Sequence, residues 1–127
     1  MNRPHLALGA EGESRAAAFL TRRGYRIVAR NVRAGGVEID IVALRGRLVV
    51  FVEVKTRRSR SFGPPEAAVD ARKQARLVRG ARAWLQAHRG LARSTRFDVI
   101  ICEPASREDS SGGWRLRHLK GAFDANG

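Results

Sequence analysis

The sequence predicts an α/β domain whose mixed central sheet of about five strands is flanked by helices, in the order αβββαββ. Three observations lead to this fold: an apolar hairpin over residues 36–55, helical spacing of apolar residues on either side of it, and alternating segments near the C-terminus. The 127 residues are expected to form one domain with a single core. Residues 1–8 and 124–127 are expected to be loose tails.

The first arm of the hairpin runs from Val37 to Leu44 and has the two-residue period of a strand. One face is predicted to hold Val37, Ile39, Ile41 and Ala43, and the other Glu38, Asp40, Val42 and Leu44. Arg45 and Gly46 then supply a tight turn. The second arm, Arg47 to Lys55, is rich in Val and Phe, as strands are.

The turn sets which residues of the two arms face each other. In the second arm Val50, Val52 and Val54 share one face, and Val49, Phe51, Glu53 and Lys55 share the other. With Arg45 and Gly46 as the loop, Leu44 pairs with Arg47, Val42 with Val49, Asp40 with Phe51 and Glu38 with Glu53. The charges of both arms then lie on one face, where repulsion between carboxylates needs compensation, most simply by a cation.

These carboxylates suit a hard divalent ion. Mg2+ and Mn2+ take oxygen ligands and are commonly held by one or two carboxylates plus substrate phosphate. Asp40 and Glu53 fit that role, while Glu38 either adds a ligand or only restrains the site. Lys55 points to the same face and could orient the attacking water or stabilise charge on a phosphate. A lone Glu-Val-Lys on a strand would mean little, but acids on both arms of an apolar hairpin indicate a metal-dependent nuclease.

The first predicted helix runs from Gly9 to Arg23 and buries a stripe of Ala16, Phe19 and Leu20. Glu13 lies one turn before this stripe. Two interpretations remain open: Glu13 points toward the sheet rim where the other acids lie, or it is an acid favourably placed in the first turn of a helix.

A basic loop, TRRSRSFGPP, follows the hairpin. Arg57, Arg58 and Arg60 are well placed there to hold a nucleic-acid backbone, although a solvated basic loop is an equally good interpretation. A helical pattern then extends from Glu66 to His88, with Asp70 as a cap for its longer part. Its apolar stripe includes Leu77, Val78, Ala81 and Trp84, and its other face carries Arg72, Lys73, Arg76, Arg79 and Arg82.

Two strands complete the chain, Arg96 to Glu103 and Trp114 to Leu119, joined by the polar loop PASREDSSGG. Asp98, within the first of them, is interpreted as a partner in a salt bridge at the sheet edge rather than as a ligand. Phe123 is expected to pack back on the domain. Cys102 is the single cysteine, which excludes an internal disulfide and suits a reducing cytoplasm.

The charge balance favours a polyanionic partner. Twenty-five Lys and Arg against twelve Asp and Glu give a net charge of +13, and most of the basic residues are Arg, which binds phosphate in a bidentate manner. Arg-rich genomes account for part of this excess but not for the scarcity of acids. Nucleic acid is therefore the expected partner. No apolar run approaches the roughly 20 residues that span a bilayer, so no membrane partner is expected.

The segments GGVEIDIVA, VVFVEVKTR, FGPPEAAV and KQARLVRGA together resemble the YraN-like family of small bacterial proteins. That family is placed among the predicted endonucleases of the restriction-endonuclease-like superfamily, with its PD-(D/E)XK motif, and archaeal Holliday junction resolvases are its better-understood relatives. The resemblance extends from Gly9 to Phe123. It differs from the usual pattern where Val37 replaces a glycine and Ile39 replaces a proline, which affects the local turn rather than the acids.

The resemblance implies a restriction-endonuclease-like core and a role for each acid. Asp40, Glu53 and Lys55 match the catalytic Asp, Glu and Lys, and Glu13 matches an acid on the first helix that completes the metal site. Lys73 and Gln74 resemble a helix position that supports the active site. A homodimer is also implied, since resolvases act as dimers on two-fold symmetric junctions, and an apolar edge strand could form its interface.

Together these observations favour a Mg2+- or Mn2+-dependent endonuclease that hydrolyses DNA, with branched or junction DNA as one expected substrate. Arg57, Arg58, Arg60, Arg72, Arg76 and Arg79 are the expected nucleic-acid contacts. The alternatives are a nucleic-acid-binding domain without cleavage and a subunit that needs a partner for activity. The sequence leaves open the choice between DNA and RNA and between linear and branched substrates.

Overall fold

The computed structural model describes residues 4–57, 69–104 and 113–125. Its elements are α1 (Pro4–Arg22), β1 (Arg26–Ala34), β2 (Val37–Arg45), β3 (Leu48–Thr56), α2 (Ala71–Ala87), β4 (Ser94–Pro104) and β5 (Trp114–Phe123). The predicted order αβββαββ is confirmed. The first helix takes in residues 4–8, which the sequence pattern had left in a tail. Arg58 and Arg60 lie outside the described residues, as does the start of the helix predicted from Glu66.

The five strands form one mixed sheet in the order β1-β2-β3-β4-β5. Neighbouring strands are antiparallel except β3 and β4, which are parallel. Parallel neighbours need a crossover connection, and α2 lies in the segment that supplies it. β2, which carries Glu38 and Asp40, and β3, which carries Glu53, are both inner strands of this sheet.

The two helices cover opposite faces of the sheet. The cluster on the α1 side includes Ala16 and Leu20 of α1 with Ile41, Val50, Val52 and Ile100 of the sheet. The cluster on the α2 side includes Val78 and Trp84 of α2 with Val42, Val49, Phe51 and Phe97. This three-layer arrangement confirms the predicted α/β class.

Two local features fix the helices against the sheet. Asp70 caps α2 as predicted, because its side chain accepts a hydrogen bond of 2.8 Å from the backbone N–H of Lys73. In α1, Gly12 is buried against the end of β3, where a Cβ atom would collide with the hydroxyl of Thr56. The glycine lets α1 approach the sheet closely at the turn that carries Glu13.

The β2–β3 hairpin differs from its predicted register. Arg45 pairs with Leu48 and Leu44 with Val49, so the two loop residues are Gly46 and Arg47, not Arg45 and Gly46. The reason is the φ of +60° at Gly46, because tight hairpin loops require a positive φ at their first residue. The shift moves each partner by two positions along β3, so the side chains of β3 keep their predicted faces.

Candidate active site

Asp40 lies where β2 changes face. Ile39 packs in the cluster on the α2 side, and Ile41 packs in the cluster on the α1 side. A regular strand would put these two residues on the same face, so the predicted alternation through Asp40 is wrong. The irregularity takes Asp40 out of the apolar packing on both sides and leaves it partly exposed.

The neighbouring strand has a matching irregularity at Asn31. The pairs Arg30–Ile41 and Val32–Ile39 place Asn31 across from Asp40. Asn31 has a φ of +50°, and it is the one described residue other than glycine with a positive φ. Asparagine tolerates this conformation better than most residues. β1 and β2 thus change face together.

Asp40 is tied to β3 by a side-chain hydrogen bond. Its Oδ2 accepts a hydrogen bond of 2.9 Å from the backbone N–H of Val54, the residue after Glu53. Burial raises the pKa of Asp40, and repulsion from Glu38 adds to this, while the Val54 N–H and Lys73 oppose it. The corrected register, continued by one pair beyond Ile41–Val52, places Asp40 across from Glu53 rather than Phe51.

Glu53 is the most deeply buried of the predicted site acids, with 6% of its side chain exposed. Burial, followed by the negative charge of Asp40, raises the pKa of Glu53 to about 7, against the opposing charges of Lys73 and Lys55. Its one ion-pair partner in the described part of the chain is Lys73, whose Nζ lies 3.5 Å from Oε1. The carboxylate is therefore held in a poorly solvated place beside another acid.

Glu13 extends the acidic group from the side of α1. Its pKa is raised by burial and then by the negative charge of Asp40, while Arg30 lowers it. Its Oε1 is buried without a hydrogen-bond partner among the described residues. A buried carboxylate oxygen is costly when it is unpartnered, so this atom is suited to an external ligand. The interpretation of Glu13 as a mere first-turn acid fails, because α1 begins well before it, at Pro4.

Glu38 and Lys55 lie at the edge of this group. Glu38 is exposed and raises the pKa of both Asp40 and Glu13, which places its charge near them. Lys55 is half-buried in β3 and lowers the pKa of both Asp40 and Glu53. The predicted acids and lysine are thus brought into electrostatic contact.

The donor set fits a divalent cation of the Mg2+ type. No group of three or more acidic, His or Cys side chains among residues 4–57, 69–104 and 113–125 is placed so that it could hold a metal ion. Such an ion needs only one or two protein carboxylates, because water and substrate phosphate complete its shell. A bound cation and its waters would provide a partner for the unpartnered Oε1 of Glu13. The cation would also reduce the repulsion between Asp40 and Glu53.

The other described residues that were predicted to take part in the site are four arginines and Gln74. Arg72, Arg76 and Arg79 are exposed on α2, and Arg57 is half-buried beyond the end of β3. Gln74 donates from its Nε2 to the Val69 carbonyl at 2.9 Å and so holds the segment before α2.

Asp98 belongs to a separate buried network. It forms an ion pair with Arg96 at 2.8 Å, shares a hydrogen bond of 2.6 Å with Nε2 of His118, and accepts a hydrogen bond from the Gly121 N–H. The predicted salt bridge of Asp98 is confirmed, but its predicted place at the sheet edge is wrong, because Asp98 is fully buried on the inner strand β4.

Sequence reasoning missed Asn31 and Arg30, which both lower the pKa of Glu13 from β1, Arg30 by its charge and Asn31 by a side-chain hydrogen bond. The available signal was an asparagine within the alternating pattern of residues 25–33. Lys73 was predicted on the basic face of the helix and, from the resemblance, at a position that supports the active site, but its pairing with Glu53 was not identified.

Comparisons with known proteins identify relatives over nearly the whole chain. A profile described as "Uncharacterised protein family UPF0102" matches residues 12–102, a span that includes all the acids discussed above. A UPF0102 protein of Symbiobacterium thermophilum is 48% identical over 118 residues, which cover 93% of this chain and 97% of the relative. One from Geobacter metallireducens is 48% identical over 118 residues, covering 93% of each chain. Another, from Syntrophotalea carbinolica, is 44% identical over 128 residues, covering 100% of this chain and 99% of its own.

Within the described residues, neither α1 nor α2 has the length and apolar character needed to cross a bilayer.

Proposed function

The chain belongs to the uncharacterised protein family UPF0102, and on that premise we propose that it is a Mg2+- or Mn2+-dependent endonuclease that hydrolyses phosphodiester bonds in DNA, including branched DNA. The observation that supports this most directly is the pairing of Asp40 with the buried Glu53. Burial raises the pKa of both acids, and the charge of Asp40 raises that of Glu53 further, an arrangement that costs stability unless a cation binds.

Each residue has a distinct role in this proposal. Asp40 and Glu53 hold the ion, and Glu13 completes its shell through a water molecule that donates to its unpartnered Oε1. The bound ion would supply Lewis-acid stabilisation of the charge that develops on the phosphate. Lys55 orients the attacking water or donates to a phosphate oxygen through its ammonium group.

The exposed arginines supply the DNA contacts. Arg72, Arg76 and Arg79 recur at spacings of four and three residues, so they form one stripe along α2. The stripe begins beside Lys73, which pairs with Glu53, so DNA bound along it would lie next to the acids. Arg57 adds positive charge near the end of β3.

The test is cleavage of labelled linear, single-stranded and four-way-junction DNA with Mg2+, Mn2+ or EDTA. Wild type is compared with Asp40→Asn and Glu53→Gln, and Glu11→Gln is the control because Glu11 is an exposed acid on α1 paired with Arg15. We expect metal-dependent products from wild type and the control, and none from the two site variants. Products that persist in both site variants would contradict the proposal.

A second candidate function is a DNA-binding domain without cleavage. The ion pair between Lys73 and Glu53 favours this function, because Lys73 neutralises part of the site's negative charge without a metal. Salt-sensitive binding by wild type, with no products under any condition, would establish this function or that of a subunit requiring a partner.

We also propose a cytoplasmic homodimer that matches the two-fold symmetry of a DNA junction. β5 is an outer strand of the described sheet, and Trp114 and Leu116 on it are only partly buried. Light scattering across a concentration series tests the dimer, and a monomer at all concentrations would exclude it.

A further inference from the structure

One basic side chain makes direct contact with the acids of the site. Among the ion pairs between described residues, only that of Lys73 involves Glu13, Glu38, Asp40 or Glu53. Its partner Glu53 has 6% of its side chain exposed, whereas Lys73 has 40% exposed. The pair therefore joins a fixed, buried anion to a cation that reaches it from solvent.

The backbone of Lys73 is fixed by the helix cap, whereas its ammonium group is half-exposed and makes a long contact. The Lys73 N–H donates to the capping carboxylate of Asp70 at 2.8 Å, which sets the first turn of α2. The Nζ–Oε1 distance of 3.5 Å exceeds the roughly 2.7–2.9 Å of a strong charge-assisted hydrogen bond. The long flexible side chain can thus leave Glu53 without disturbing the helix.

We propose that Lys73 is a displaceable counter-cation of the metal site. It neutralises Glu53 while no divalent ion is bound, and it turns toward solvent when Glu53 becomes a ligand. This inference rests on the proposed metal-dependent function and adds to it a competition between a side chain of α2 and the ion. The competition sets the divalent-ion concentration at which the site fills.

The physical reason is charge. A carboxylate buried without a partner is strongly unfavourable, so Lys73 stabilises the site before the ion arrives. A divalent ion at Glu53 brings twice the positive charge of a lysine and repels any ammonium group that stays within a few ångströms. Removing the lysine charge should therefore favour the bound state of the ion.

The experiment is a Mn2+ titration of the full chain in which free Mn2+ is measured by electron paramagnetic resonance. Wild type is compared with Lys73→Gln, Lys73→Arg and Arg76→Gln. The titration is run near pH 8.5, because metal affinity falls wherever protons compete for the ligands. Arg76→Gln is the matched control, since it removes one positive charge from the same helix and its side chain has no ion pair in the described part of the chain. Circular dichroism checks that all variants are folded.

We expect Lys73→Gln to bind Mn2+ roughly tenfold more tightly than wild type, the effect of removing one half-exposed positive charge beside the ion. Lys73→Arg and Arg76→Gln should bind as wild type does. Unchanged or weaker binding by Lys73→Gln, with normal binding by wild type, would overturn the counter-cation role and leave the proposed function intact. No Mn2+ binding by wild type would overturn both.

Discussion

The Oδ2 atom of Asp40 accepts a hydrogen bond of 2.9 Å from the backbone N–H of Val54. This contact comes just beyond Ile41–Val52, the last backbone pair at that end of the β2–β3 ladder. A side chain therefore replaces a main-chain acceptor at the point where the two strands separate. Glu53 lies between Val52 and Val54, so its backbone is held on both sides and its carboxylate is directed into the site.

This dual role of Asp40 predicts different effects for two substitutions. Asp40→Ala removes the acceptor of the Val54 N–H and should lower the free energy of unfolding by about 1–3 kcal/mol. Asp40→Asn keeps an oxygen acceptor and should cost less, although both variants lose the charge and should lose Mn2+ binding. Urea unfolding with a parallel Mn2+ titration measures both effects. Equal destabilisation by Asn and Ala would show that the hydrogen bond contributes little.

The pKa of Glu53 predicts how stability depends on pH in EDTA. The unfolded chain releases the Glu53 proton near the ordinary pKa of 4.5, and the folded protein releases it near pH 7. Between these values the folded state binds more protons, so the free energy of unfolding should fall as the pH rises, by up to about 3 kcal/mol. Above pH 7 the decline should level off.

Glu53→Gln should remove most of this decline, because glutamine does not titrate. Glu11→Gln, which changes an exposed acid of α1, should leave the decline as it is in wild type. Urea unfolding across the pH range measures all three proteins. A Glu53→Gln variant with the full wild-type decline would assign it to other groups.

The close approach of α1 to β3 predicts that Gly12 cannot be replaced. In Gly12→Ala the new methyl group would collide with the Thr56 hydroxyl, so we expect the free energy of unfolding to fall by about 1–3 kcal/mol. Mn2+ binding should also weaken, because Glu13 is the next residue. Gly9→Ala is the control: no described atom lies within 4 Å of its new methyl group, so it should be neutral or slightly stabilising. Adding Thr56→Ala to Gly12→Ala should restore part of the loss. A Gly12→Ala variant as stable as Gly9→Ala would contradict the packing argument.

The arginine stripe of α2 predicts a change in the salt dependence of DNA binding. Each phosphate contact contributes about 0.9 to the slope of log affinity against log salt, so Arg76→Gln should reduce the slope by about that amount. Arg89→Gln, an exposed site beyond the C-terminal end of α2, should leave it unchanged. Fluorescence anisotropy with junction DNA at several salt concentrations measures the slopes. Identical slopes for Arg76→Gln and wild type would exclude the stripe as a phosphate contact.

Much of the fold could be predicted because the signals are local. The element order, the faces of β3 and the Asp70 cap follow from apolar periodicity and capping chemistry within short segments. The hairpin loop was assigned wrongly because Arg45-Gly46 and Gly46-Arg47 read alike as two-residue loops, and only the backbone angle at Gly46 distinguishes them. The change of face at Asp40 was missed because the apolar alternation continues through it without a break.

The sequence by itself determined the element order, the excess of positive charge and which acids and lysine lie on the central hairpin. The tertiary structure alone decided which charges meet: Glu53 with Lys73 from α2, Asp40 with the Val54 N–H, and Glu13 brought to them from α1. The physical reason is that desolvation and charge pairing depend on how distant segments pack. An Asp or Glu looks the same in the sequence whether its carboxylate is solvated or buried beside another carboxylate. Only the packing of the folded chain distinguishes the two cases.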